Sequence, residues 1–340
     1  MQNLRWLALL LLCSCATGPA TYTWRPEAPV RWPPPGEQAR IELLFGYHGP
    51  ADTDRDLPTG EWITDWVLGP PDVGLVSPFG MTLTADNTLL VADTARAAIH
   101  RIHLPSGAHD LVSGSEASPL VTPVGVAAVP DGRFFVADSS TGEITAFDPD
   151  GTVSEPSFAP ELTLQRPTGL CYDPVGERLL VVDTLGCSVH ALSLSGEVQA
   201  STGQRGDGPG EFNFPIGVTT GPGGDIYIVD SMNFRVQRLA ADFSFVSEFG
   251  IAGNGPGAFT KPKGVALDSE GHVYVVDSMF DNVQVFDEDG TLLLAFGSGG
   301  SALGQLYLPT GLFIDDSDRI FVADTGNARF QTFQYFRDTP

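Results

Sequence analysis

The chain is expected to fold as an all-β propeller, six blades of short antiparallel strands set around one axis. Three observations carry this. Pro-x-Gly recurs at Pro78, Pro123, Pro167, Pro215, Pro262 and Pro309, spaced 45, 44, 48, 47 and 47 residues apart. An aspartate closing a short apolar run keeps the same beat, at Asp93, Asp138, Asp183, Asp230, Asp277 and Asp324. A period in the forties, with about four short strands per unit, marks a propeller blade. Finally, those runs are apolar on both sides of the pleat, as in Ile226–Val229, Val273–Val276 and Ile320–Val322. A sheet with one wet face alternates, whereas a strand apolar on both faces is covered twice, as a blade is by its two neighbours.

Composition agrees with this. Apolar residues make up 42% of 340, enough for a large core, and the 39 glycines and 27 prolines fall at regular intervals, as turns between strands do. The formal net charge is −24, with Lys261 and Lys263 the only lysines. So acidic a chain repels phosphate backbones, which argues against nucleic-acid binding and favours solubility and basic partners.

The N-terminus comes first in the chain. Residues 1–14 read as a signal peptide: Arg5 is the positive flank and Trp6–Leu12 the apolar core. That core is far short of the roughly 20 residues a membrane-spanning helix needs. Leu12-Cys13-Ser14-Cys15 resembles a bacterial lipobox. The resemblance implies cleavage before Cys15, a diacylglycerol on its thiol and an acylated amine, and two or three acyl chains anchor stably. Ala16, where an aspartate is absent, points to the outer membrane by the same resemblance. An ordinary cleaved signal peptide with incidental cysteines is the other reading. Residues 15–40 are rich in Ala, Thr and Pro, including Pro33-Pro34-Pro35, and read as a semi-rigid spacer. Its Tyr22, Trp24 and Trp32 touch either lipid headgroups or the folded domain.

The propeller is placed at 41–336. The last repeat supplies three strands, Leu312–Asp315, Ile320–Asp324 and Ala328–Phe333, and lacks a fourth. Ile41-Glu42-Leu43-Leu44-Phe45-Gly46 has the pattern of an outer strand such as Leu292–Gly297. The N-terminal strand is therefore expected to complete the last blade, removing the edges an open array would expose. Between it and the first blade, Trp62, Ile63, Trp66 and Val67 have the spacing of a helix face. A loop at the channel mouth is the alternative.

The repeats resemble the NHL-repeat family of six-bladed propellers. The matching text is Pro-x-Gly-Val, Tyr-Val-Val-Asp-Ser, Asn-x-Arg-Val-Gln and a run ending Phe-Gly, strongest in blades four to six. All five tryptophans precede the first repeat, which disfavours a WD40 propeller. The resemblance implies that the Pro-x-Gly openings and the loops after the aspartates share one rim, the top. It gathers there a candidate partner-binding set: Phe79, Arg96, Leu185, Ile216, Met232, Phe234, Lys263, Met279 and Phe280. Large apolar residues on the loops of an acidic protein suit recognition of a protein or peptide. Arg235 and Arg329 are expected to be structural, as are the six aspartates, which cap the turns after them.

Relatives in this fold include lyases that hold zinc with channel histidines and lactonases with acidic ligands at the channel mouth. A channel-centred enzyme of that kind is the alternative function. Against it, the inner strands carry no histidine, and Asp173, Asp268 and Asp315 sit at the far, bottom end. His100 and His190 fall where later blades have Gln237, Gln284 and Gln331, a position read as a solvated strand face. The bottom turns around Asp148, Asp287 and Asp315 are turn formers first, and their spacing matches no EF-hand loop. Cys171 and Cys187 are two small thiols or an oxidised pair. The reading is an extracytoplasmic, lipid-anchored scaffold that binds a partner through its loop rim and needs no cofactor or metal.

Overall fold

The computed structural model describes residues 21–33, 38–54, 73–154, 158–159 and 161–337. The signal peptide, Cys15 and the segment with Trp62 and Trp66 lie outside them. Six antiparallel sheets form the blades. Blade four is typical, with strands Pro215–Thr220, Ile226–Asp230, Arg235–Leu239 and Phe245–Phe249 running outward from the axis. Blade two has three strands, Pro123–Ala128, Phe134–Asp138 and Glu143–Phe147, and Val153 bridges to Phe147 where a fourth would run.

Period-two side-chain alternation explains the doubly apolar second strands. In Thr88–Asp93, Leu90 and Ala92 pack toward blade two, while Leu89 and Val91 pack toward blade six. The same division fills each of the six gaps between neighbouring blades with its own hydrophobic cluster. The core is thus a ring of interfaces, and each blade is covered twice.

The ring closes as expected. Ile41–Tyr47 pairs antiparallel with Arg329–Tyr335, Phe333 facing Leu43 and Thr332 facing Phe45. The register shifts at Leu44, so Ile41 and Leu43 face blade five while Phe45 and Tyr47 face blade one. One strand therefore seals two gaps.

Part of the predicted spacer belongs to the domain. Arg31–Trp32 adds a fifth strand outside Ile41–Tyr47. The Tyr22 ring stacks on Phe45 at 4.2 Å, and its hydroxyl donates to the Leu104 carbonyl at 3.0 Å. Trp32 packs on Phe296 and Phe333, and Trp24 lies over the Arg329 guanidinium. These aromatics touch the domain because the closing strand leaves apolar surface that only the preceding segment covers.

Candidate functional site

The six Pro-x-Gly openings meet at the axis. Each glycine sits against the carbonyl of the middle residue of the next opening: Gly80 on Val124, Gly125 on Thr168, Gly169 on Ile216, Gly217 on Lys263, Gly264 on Thr310 and Gly311 on Phe79. None of the six has a positive φ, so the demand for glycine is steric: a Cβ would collide with backbone. The hydroxyl after the repeated aspartate ties neighbouring blades at the same level. Thr184 donates to Pro215 O at 2.7 Å, Ser231 to Pro262 O at 2.9 Å and Thr325 to Pro78 O at 2.7 Å.

This close approach makes a neck of about 70 Å³ ringed by Phe79, Val124, Thr168, Ile216, Lys263 and Thr310. Below it the channel widens to a cavity of about 750 Å³ between the inner strands and the bottom turns. Lys263 is the charged member of the neck ring. Its Nζ lies 5.2 Å from the centre of the Phe79 ring. Burial, reinforced by the positive Lys261 and Arg166, lowers its pKa from 10.5 to about 8. Between those values the unfolded chain binds more protons than the folded one, so stability rises with pH across that window. Lys263→Met is expected to raise the melting temperature at pH 7 and to lose that advantage by pH 10.5. An advantage that does not change with pH would assign the gain to packing.

The repeated aspartates do more than cap the turn that follows. Asp93 accepts from the amides of Ala95 and Arg96, and also from those of Val76 and Ser77, just before its own Pro-x-Gly. Asp183 accepts likewise from Gln165 and Arg166, and Asp277 from Thr260 and Lys261. Each carboxylate thus clamps two loops onto one rim. In blades four and six the Asn-x-Arg pattern changes the partners. Arg235 Nε donates to Asp230 Oδ2 at 2.9 Å and its fork reaches Gly208 O and Glu211 O; Arg329 does the same with Asp324, Ala302 O and Gln305 O. Blade five lacks this arrangement: Phe280 and Asn282 stand where the Asn and Arg would be, and Asp277 takes the amides of Met279 and Phe280 instead.

The position read as a solvated strand face is buried in blades one, four, five and six, whereas His190 of blade three is partly exposed and bonds Ser188 and Ser201. His100, Gln237 and Gln331 are wholly enclosed, and each reaches the repeated aspartate of its own blade, at 3.2, 3.3 and 3.2 Å. The glutamines also grip the loop leading into their blade, as Gln284 does through Gly257 N and Ala258 O, both at 2.9 Å. The recurrence of Gly210, Gly257 and Gly304 at equal spacing was the available signal for that grip. His100 instead continues to His109 at 2.8 Å, and His109 to the Tyr47 hydroxyl of the closing strand at 2.9 Å.

The predicted rim residues divide into three groups. Phe79, Ile216 and Lys263 line the neck. Leu185, Met232 and Met279 stand out from the rim, 42%, 51% and 56% exposed. Arg96, Phe234 and Phe280 are partly buried; Arg96 Nε donates to Gly74 O at 2.5 Å, and Phe234 packs against the core between blades four and five. Sequence reasoning missed Val76, Val121 and Tyr307, exposed apolar residues whose amides donate to the same aspartates, and Leu308, whose amide donates to Asp281.

Residues 212–239, within blade four, match the family model described as NHL repeat. The protein is a six-bladed propeller with an NHL repeat in its fourth blade. A search of curated proteins finds no match. Among solved structures, the propeller resembles a gluconolactonase from Xanthomonas campestris (16% identity, 94% of this chain and 97% of that one, TM-score 0.60). It also resembles a virginiamycin B lyase from Staphylococcus aureus (14%, 77% and 96%, 0.56) and an auxiliary nutrient binding protein from Bacteroides thetaiotaomicron (13%, 78% and 71%, 0.60). At these identities the likeness is one of fold.

Two carboxylates of the lower cavity are already engaged. Asp268 takes His272 at 2.8 Å and the Tyr274 hydroxyl at 3.0 Å, and Asp315 takes Arg319 at 2.6 Å, while Asp316 also lines the cavity. Cys171 lines this cavity with a thiol pushed well up by burial and by Asp173, a poor nucleophile. Cys187 is buried, and both cysteines are free.

Proposed function

We propose that the protein is an extracytoplasmic scaffold, anchored to a bacterial membrane through lipidated Cys15, that binds a protein or peptide partner through its top rim. The observation that carries the binding half is where apolar surface is exposed. Val76, Val121, Leu185, Met232, Met279, Tyr307 and Leu308 put at least one such side chain on the rim of every blade. On a chain of net charge −24, a rim with that much apolar surface suits a protein surface or an extended peptide. The anchor rests on the Leu12–Cys15 pattern, and mass spectrometry of the mature N-terminus tests it.

Met232→Asp combined with Met279→Asp is expected to weaken capture of a partner cross-linked from membranes while leaving the melting temperature unchanged. Both side chains are solvated, so little packing is lost. A loss of several kcal/mol in stability would mark them as core residues and remove the rim reading.

The wide lower cavity favours a second reading, a channel-centred lyase or lactonase, and two of the structural neighbours are named as such enzymes. Stoichiometric zinc or tightly held calcium in purified protein, by elemental analysis, would put this reading first.

A further inference from the structure

Lys263 is a half-buried cation without a counter-charge. Its Nζ makes no hydrogen bond or ion pair with any described residue, and its charge meets only the face of Phe79. The rest of the neck ring is apolar or hydroxylic: Val124, Ile216, Thr168 and Thr310. The charges that act on it, Lys261 and Arg166, are both positive, and both side chains are exposed. Their backbone amides are fixed by Asp277 and Asp183, so both side chains start from the rim. Three positive charges thus gather at one opening of a protein of net charge −24, and both lysines of the chain are among them. Unpaired buried charge is costly and persists where a ligand completes it.

We propose that the neck is a carboxylate-binding site. Lys263 takes the carboxylate from inside the ring, and Lys261 and Arg166 flank it from the rim. The neck volume of about 70 Å³ accepts a group the size of a carboxylate. Its low-polarity walls strengthen the attraction over that in water. The exposed Leu185, Met232 and Met279 on blades three to five surround the same sector, so the acid enters with an apolar body attached. This deepens the rim-binding reading by naming the group the partner presents, a chain terminus or an acidic side chain.

The presence of only two lysines makes the test direct. The full chain is dimethylated on lysine with carbon-13 and titrated with three forms of one apolar pentapeptide. These are the free acid, the C-terminal amide, and an amide carrying one internal aspartate. The Lys263 signal, assigned by its absence in Lys263→Met, is expected to shift saturably with an acid and not with the plain amide. Lys263→Met should bind that acid at least tenfold more weakly. A shift with the free acid alone assigns the terminus, and one with the aspartate peptide assigns the side chain. No shift with either acid, or equal affinity for acid and amide, overturns the site. Lys263→Gln repeats the comparison should the methionine variant fold poorly. Loss of partner capture in the Met232 and Met279 variant, with capture intact in Lys263→Met, would sink the carboxylate site and spare the rim.

Discussion

Gly311→Ala is expected to destabilise the propeller by about 3 kcal/mol, at the upper end of the cost of forcing extra atoms into a packed interior. The new Cβ would overlap the Phe79 carbonyl oxygen and lie 2.7 Å from its carbonyl carbon. Both are backbone atoms, so no side chain can swing aside, and relief requires blade one to move from blade six. The comparison is Gly223→Ala, on a bottom turn with nothing within 4 Å of the added methyl. It should stay within about 0.5 kcal/mol of the parent, as surface changes do. Urea melts of the two variants check the claim. Equal effects would mean that the Pro-x-Gly glycines serve chain flexibility rather than the approach of neighbouring blades.

The second large effect lies at Arg329. It is 1% exposed, ion-paired with Asp324, and its fork donates to the carbonyls of Ser301, Ala302 and Gln305 at 2.9, 2.9 and 2.7 Å. Arg329→Met strands a buried carboxylate and three carbonyls, for an expected loss of about 3–5 kcal/mol. Arg329→Lys should not rescue it, because an ammonium cannot span those acceptors. The pairing is tested by a double-mutant cycle. With Asp324→Asn present, Arg329→Met should cost markedly less, since the uncompensated charge is gone. Strict additivity would show that the two side chains stabilise the blade separately.

Much of this architecture is legible in the residues, and what is not has a common cause. The Pro-x-Gly and aspartate beats give the blade count, and the outer-strand pattern of Ile41–Gly46 gives the closure. Both are local patterns repeated along the chain. His100 and Gln237 mislead because a polar residue on a strand reads as solvated. Only the folded ring shows that the repeated aspartate lies beside them, buried and in need of donors. Tyr22 and Trp32 look like spacer residues because proline dominates their surroundings, and the surfaces they cover, Phe45 and Tyr47 for Tyr22 and Phe296 and Phe333 for Trp32, exist only in the closed ring. The neck is hidden for the same reason. Lys263 and Phe79 lie far apart in sequence and meet only at the axis. The candidate rim was accordingly half visible: Met232 and Met279 stand out by type and position, whereas Val76 and Tyr307 gain their place through the aspartate clamp.

The strand that seals the last blade is made long before the strand it pairs with. During synthesis, Ile41–Tyr47 leaves the ribosome early and waits, unpaired, until Arg329–Tyr335 follows nearly the whole chain later. Blades one to five can assemble in sequence meanwhile, but the circle is completed only once Arg329–Tyr335 has emerged. A polypeptide stalled a few dozen residues short would hold an arc with two naked ends, an obvious substrate for quality-control proteases and for pairing with a sister chain.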